Sequence, residues 1–364
     1  MTDPILIVGG YGIVGFQIAQ VIRKRNPDQK IILAGRSIEK GSAAAKQLGN
    51  ANAVALDISS EDPLAEIPPH IGAILAAVND PENALMKSAI RRKVVYVDIT
   101  RWTERLHDAH KIATALQPES PVVLSSSWMA GVSAIVALKA CENLSVVDEI
   151  TTSILFRVND KAGPDSVEYA DRLSIPFRVW AEGQWSTVKP LTDPMIVEFP
   201  SGDEATAYRF DEPSQETLAA ITNAKSVSSR IAYDDPIVNR LMLALVRSGF
   251  WKLISGSLFT SFRRFLIYKP GEGASHEIVV KASGKSKDGK THYSSATILA
   301  PKGQTHLTAL GAYVQLCVTM GLEDQSRRSS GIFYPEKDLD PYFALKVFRE
   351  EGVAIQFSPL KEKA

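Results

Sequence analysis

The feature that most narrows what this chain can fold into stands at its beginning. A four-residue apolar run, Ile5–Val8, opens into Gly9-Gly10-Tyr11-Gly12-Ile13-Val14-Gly15 and then into a helical pattern. Glycines at 10, 12 and 15 give the spacing G-x-G-x-x-G. Each glycine answers a physical need. Gly10 permits the tight turn, Gly12 lets the backbone come close to a pyrophosphate, and Gly15 lets the helix pack closely on the strand. The helix start then offers unpaired N–H groups and the positive end of a dipole to the phosphates. Taken alone the spacing is common. Between a strand and a helix, with a second strand beyond, it points to dinucleotide binding through Gly10, Tyr11, Gly12, Ile13, Val14 and Gly15.

The pattern beyond the loop fits this start. Up to about residue 125, short runs rich in Val, Ile, Leu and Ala (5–8, 31–34, 53–56, 73–78, 94–97, 122–124) alternate with helical patterns (15–24, 39–48, 82–91, 104–116). Runs of this composition are strands buried on both faces, and their alternation with helices predicts right-handed βαβ units around a parallel sheet. After residue 126 strand-like runs gather beside segregated helices, which predicts an α+β unit. The expected organisation is a doubly wound Rossmann domain at 1–126 and an α+β substrate or dimerisation domain at 127–335. A C-terminal helix and strand at 336–364 are expected to pack back on the Rossmann domain.

Composition excludes several classes. Lys plus Arg number 41 and Asp plus Glu 41, so there is no basic surplus for nucleic acid. Two cysteines, Cys141 and Cys317, are too few for a disulfide framework or a cysteine metal site, and both lie in apolar runs. His107 and His110 are three apart on a helical pattern, a spacing that serves a solvated face better than a metal, and no metal is expected. The most apolar late stretch, 237–254, contains Arg240, Arg247 and Lys252, which argues against a membrane span. The start Met-Thr-Asp-Pro lacks the regions of a signal peptide, so a cytoplasmic setting is expected. No nucleophile-elbow, zinc-protease or P-loop sequence supports a hydrolase or NTPase.

The end of the second strand chooses the cofactor. NAD-binding domains place an acidic residue there for the ribose 2′-hydroxyl. This chain has Ala34-Gly35-Arg36-Ser37. The Arg36 guanidinium can pair with a 2′-phosphate, Ser37 can add a hydrogen bond, and Lys40 adds charge one turn on. The expected cofactor is NADP, as NADPH. Asp57, ending the third strand, could accept from the adenine amino group or cap the next turn. Val78 lies at the carboxyl edge of the fourth strand, beside the crevice where dinucleotides run.

These residues resemble the saccharopine dehydrogenase (saccharopine reductase) family. The resemblance rests on the glycine loop, on Ala34-Gly35-Arg36-Ser37 with Lys40, on Tyr96-Val97-Asp98-Ile99-Thr100, and on Gly331-Ile332-Phe333-Tyr334-Pro335-Glu336. It implies a Rossmann domain, an α+β domain that binds substrate and often dimerises, and a C-terminal segment returning to the Rossmann sheet. It also implies oxidoreduction of a carbon–nitrogen bond between an amine and an oxo acid. One departure bears on the substrate: close saccharopine reductases carry Pro-Gly after the sixth strand, where this chain has Ser127-Trp128-Met129-Ala130-Gly131. The glycine is kept and the proline is not.

Hydride transfer needs placement against the nicotinamide, a proton donor, and anchors for substrate charge. Asp98, at the carboxyl end of a buried strand, is the first acid/base candidate, with capping of the next turn as its alternative. Thr100 follows as a cofactor contact, and Arg101 could hold a carboxylate. Trp128 would wall the nicotinamide site, and His306 opens a helix that in the family faces the substrate. Arg263, Arg264 and Lys269, after the apolar helix, read as a basic rim, a carboxylate anchor or a membrane-surface contact. The expected function is NADP-dependent hydride transfer to or from an imine or carbonyl carbon of a small amino-acid-derived substrate, in a homodimer. The rivals are a non-catalytic dinucleotide-binding sensor or assembly protein, and a reductase of an apolar, lipid-like substrate.

Overall fold

The computed structural model describes residues 3–99, 101–161, 172–255, 257–259, 262, 273–337 and 339–362. They form two compact units, the first from residues 1–132 and 308–339, the second from 133–307 and 340–364.

The first unit runs β1 (Ile5–Val8), α1 (Ile13–Arg25), β2 (Ile31–Gly35), α2 (Ile38–Leu48), β3 (Ala51–Ala55), β4 (Ala73–Ala76), α3 (Ala84–Arg91), β5 (Val95–Asp98), α4 (Thr103–Leu116) and β6 (Pro121–Val123). The chain leaves through α5 (Val132–Cys141) into β7 (Val146–Phe156), β8 (Phe177–Ala181), β9 (Gln184–Val188), β10 (Met195–Glu198), β11 (Glu204–Arg209), α6 (Ser214–Thr222) and β12 (Ser226–Tyr233). Then follow α7 (Pro236–Arg247), α8 (Phe250–Ile254), β13 (His276–Lys285), β14 (Thr291–Ala300), α9 (Gly303–Met320), β15 (Gly331–Phe333), α10 (Pro341–Glu350) and β16 (Ala354–Glu362).

Seven parallel strands make the first sheet, in the order β15-β6-β5-β4-β1-β2-β3. The order reverses beside β1, between β2 and β4, and ligands of doubly wound sheets bind beyond the carboxyl ends of the strands at such a point. The buried strands β1, β4 and β5 show no polar alternation because both of their faces are covered. Leu6, Ile74, Tyr96, Val122 and Leu106 share one core cluster on one side of the sheet. Helix α1 ends in Arg23, Lys24 and Arg25, cations that suit the negative end of its dipole.

The second unit is a mixed sheet, β10-β11-β12-β7-β13-β14-β16, with β8 and β9 as a hairpin attached to β12. Among the described residues only its β12–β7 pair is parallel. The sequence misses β9, α6 and β12. Strand β12 reads Ser-Val-Ser-Ser-Arg-Ile-Ala-Tyr yet is buried along its middle. Its hydroxyls are satisfied inside: Ser228 bonds Thr151 across the strands, and Ser229 Oγ donates to Glu212. Such a strand has no apolar periodicity to detect. The apolar stretch 237–254 is two helices rather than one, broken at Gly249, which has φ +78.

The expected C-terminal return needs correction. From residue 340 on, the chain belongs to the second unit and does not rejoin the parallel sheet. Strand β16 pairs antiparallel with β14 in the second sheet. The segment that does rejoin is 308–339, through β15 beside β6. The tail pattern is helix then strand, as expected, but a pattern carries no information about which sheet edge accepts its hydrogen bonds.

Candidate cofactor site

The glycine loop is fixed by backbone bonds. Gly9 donates to Ala34 O at 2.8 Å, and Gly12 to Gly9 O at 2.9 Å. Gly9 has φ +82, a conformation that costs other residues energy. A Cβ at Gly15 would lie 2.3 Å from Gly9 O, so this helix can meet the bend only with glycine there. Val78 packs on the same bend: a Cβ at Gly9 would meet its Cγ1 at 2.6 Å. Gly12 is the N-cap of α1, with no side-chain cap and no acidic residue in the first turn. The helix start therefore presents its N–H groups at Ile13, Val14 and Gly15 and no competing carboxylate.

Tyr11 connects this bend to the tip of β2. Its ring lies so close to Gly35 that a Cβ there would sit 2.6 Å from Cε1, and its hydroxyl accepts from Ser37 N–H at 2.8 Å. Ser37 is the N-cap of α2, accepting from Lys40 N–H at 3.3 Å, while its hydroxyl donates to Glu39 at 2.9 Å. Arg36, Lys40 and Asp57 are exposed. Among the described residues Arg36 makes no hydrogen bond and no ion pair closer than 4 Å, so its fork is available to an anion. Asp57 accepts from Ser59 N–H at 3.0 Å and from Ser59 Oγ at 2.6 Å, the turn-capping alternative. Those bonds lower its pKa, helped by the Arg36 charge. An exposed guanidinium, a bend free of acids and a helix start together fit the 2′-phosphate and diphosphate of NADP.

Beyond the ends of β4 and β5 lies a buried polar network. Asp98 Oδ2 accepts from Arg101 Nε at 2.5 Å and Oδ1 from Ser125 N–H at 2.6 Å. Arg101 Nη1 donates to Asn83 Oδ1 at 2.6 Å. Burial opposes the Arg101 charge, but the Asp98 carboxylate outweighs it and holds its pKa above the ordinary value. Asp80 caps α3, accepting from Ala84 N–H at 2.9 Å and Leu85 N–H at 3.1 Å, and its own carbonyl accepts from Arg105 at 2.6 Å. Burial raises the Asp80 pKa in spite of those bonds. Both Asp98 oxygens are thus engaged, one by the Arg101 guanidinium and one by Ser125 N–H. Arg101 is committed inward and is not a free substrate anchor. Thr100 lies outside the described residues, as do Arg263, Arg264 and Lys269.

After β6 the backbone takes three consecutive positive φ values, at Met129, Ala130 and Gly131. Gly131 has φ +102, and a Cβ on it would overlap the Pro335 ring at 2.1 Å. Next to Pro335, buried Glu336 accepts from Ser126 Oγ at 2.6 Å. The glycine kept after the sixth strand and the late Tyr-Pro-Glu stretch are thus packing partners, which explains why both are present.

Residues 5–142 match the family model of the saccharopine dehydrogenase NADP binding domain. The first unit contains a saccharopine dehydrogenase-type NADP-binding domain. A search of the curated proteins finds no match to this chain. Among solved structures, saccharopine dehydrogenase (L-Glu forming) from Saccharomyces cerevisiae is similar over 98% of this chain and 100% of its own, at 14% identity and TM-score 0.66. That likeness shows a common fold. A meso-dapdh mutant from Clostridium tetani (13% identity, 96% of this chain and 100% of that one, TM-score 0.49) is more distant. So is a myo-inositol dehydrogenase from Corynebacterium glutamicum (13% identity, 99% and 100%, TM-score 0.41). The matched stretch is thus the NADP-binding part of the chain.

Within that saccharopine dehydrogenase-type domain, Gly10, Tyr11, Gly12, Ile13, Val14, Gly15, Arg36, Ser37, Lys40, Asp57 and Val78 lie on the bend and the start of α1, the tips of β2 and β3, the first turn of α2, or the edge of β4. Trp128 is half-buried in the segment after β6. His306, also half-buried, is in the first turns of α9 and belongs to the second unit. His110 stacks on Tyr334 and bonds its hydroxyl at 3.0 Å, so it is a packing residue. Burial pushes both Cys141 and Cys317 thiols up to about 12. Sequence reasoning missed Asp80, Asn83, Arg105 and Glu336. The run Asp80-Pro-Glu-Asn83 before an apolar helix was a helix-start signal, but nothing in the sequence pairs Asn83 with Arg101 or Glu336 with Ser126.

Proposed function

We propose that this protein is an NADP-dependent oxidoreductase that transfers hydride to or from an imine or carbonyl carbon of a small amino-acid-derived substrate. The observation that carries the cofactor choice is Arg36: an exposed guanidinium without an ion-pair partner among the described residues, at the strand tip where an NAD-selective site would place a carboxylate. The fold of the yeast saccharopine dehydrogenase supports carbon–nitrogen chemistry. The missing proline before Gly131 argues for a substrate other than saccharopine itself.

In this reading the bound dinucleotide supplies or takes the hydride. The bend 9–15 and the α1 N-terminus bind its diphosphate, and Arg36 with Lys40 its 2′-phosphate. Tyr11, held by Ser37 N–H, keeps the bend and the β2 tip in register. Asp98, bonded to Arg101 and to Ser125 N–H, acts as a positioning residue for the turns after β5 and β6. Trp128 is kept as a wall of the nicotinamide site, and His306 as the proton-donor candidate. The homodimer rests on the family resemblance. Fluorescence titration of NADPH and NADH against the natural protein and Arg36→Asp tests the assignment. Losing a charged hydrogen bond costs about 1.5–3 kcal/mol, or roughly 10- to 150-fold in NADPH affinity, with NADH little changed. Equal NADPH binding by both proteins would overturn the NADP assignment.

A further inference from the structure

The large hydrophobic side chains that stand exposed are concentrated in one place. Of the sixteen among the described residues, seven fall within residues 237–262: Ile237, Leu241, Phe250, Leu253, Leu258, Phe259 and Phe262. Ile237, Leu253 and Leu258 are 75%, 73% and 93% exposed.

On α7 the exposed positions after Pro236 are Ile237, Arg240, Leu241, Ala244 and Arg247, spaced three or four apart, so one stripe of the helix carries both apolar and cationic side chains into solvent. Met242, Trp251 and Ile254 are buried and anchor α7 and α8 from the other side. The exposed face is therefore presented on packed elements.

Its charge is one-sided. Along α7 and α8, from Pro236 to Ile254, the sequence contains Arg240, Arg247 and Lys252 and no Asp or Glu, although the whole chain is neutral. Arg240 and Lys252 are exposed.

We infer that the α7–α8 face docks on the surface of a lipid bilayer that carries anionic headgroups. Aliphatic and phenyl side chains enter the boundary between headgroups and acyl chains, while arginine and lysine beside them stay at the level of the phosphates. The alternative occupant is a second copy of the chain. A two-fold pairing would set the cations of α7 and α8 against their own copies, which is unfavourable. No helix of the described residues is long and apolar enough to cross a membrane.

The inference is tested by sedimentation of the full chain with vesicles of phosphatidylcholine alone, and with vesicles in which a third of the lipid is phosphatidylserine. Binding is expected only to the anionic vesicles and is expected to weaken as salt rises. Leu241→Ser/Leu253→Ser/Leu258→Ser and, separately, Arg240→Glu/Lys252→Glu each reduce partitioning by about tenfold or more, with NADPH affinity and melting temperature unchanged, since these side chains are exposed. Equal binding to both vesicle types, or no binding to either, overturns the inference. So does a concentration-dependent dimer that the triple serine variant dissolves.

Discussion

His276 gives the most quantitative test of the second unit. It begins β13, is fully buried, and lies with Nδ1 3.8 Å from Asp160 Oδ2. Burial, with the nearby Arg157 charge, pushes its pKa from 6.5 down to about 3. Asp160 is no strong counter-charge, because burial raises its own pKa and its Oδ2 already accepts from Gln304 N–H at 2.9 Å. The sign follows from linkage: with a folded pKa below the unfolded one, the neutral imidazole's contribution is complete above pH 6.5 and is lost as pH falls toward 3. Between pH 7 and pH 5 the unfolded chain gains proton-binding free energy that the fold cannot match. That gain is RT ln of (1 + 10^1.5) over (1 + 10^−0.5), or about 2 kcal/mol. Asp160 acts in the opposite sense, gaining stability as pH falls, so the measurement is the difference between the natural protein and His276→Gln. Three of the five tryptophans, Trp180, Trp185 and Trp251, lie in the second unit, so urea unfolding followed by tryptophan fluorescence reports mainly on it. The natural protein is expected to lose about 2 kcal/mol more than His276→Gln between the two pH values. Equal losses would refute the claim that this imidazole is held neutral by burial.

The first unit and the thiols carry three more expectations. Asp98→Asn leaves Arg101 charged and buried beside a neutral amide, and should cost about 3–5 kcal/mol in unfolding experiments, with turnover lost through misplacement of the turns; unchanged stability would return Asp98 to the acid/base candidates. Gly15→Ala pushes α1 off the bend, and should cost about 1–3 kcal/mol while weakening NADPH binding measured by titration; normal affinity would show that the bend does not hold the diphosphate. Cys141 and Cys317, buried with raised pKa values, should resist a thiol reagent at pH 7.5 until denaturant is added, and rapid labelling of the folded protein would contradict their burial.

The Rossmann half was legible because its signals are local. A buried parallel strand is a run of Val, Ile, Leu and Ala whatever surrounds it, and Gly10, Gly12 and Gly15 are needed by the bend itself. Arg36 could be read for the same reason, since its position at the strand tip follows from β2 alone. The role of Asp98 could not be read. Its place at the end of β5 was correct, but its chemistry is set by Arg101 and by Ser125 N–H, and only the adjacency of β5 and β6 delivers the latter.

By itself, then, the sequence determined the strand–bend–helix start, the alternation that makes a doubly wound sheet, and the place of Arg36 at the tip of β2, because each depends on neighbours within a few residues. Tertiary structure decided which segment closes that sheet, β15 rather than the C-terminal tail, and that Gly131 must be glycine because Pro335 lies against it. It also decided that the polar strand β12 is interior. Those outcomes depend on hydrogen bonds and contacts between residues far apart in the chain, whose energies no local pattern encodes.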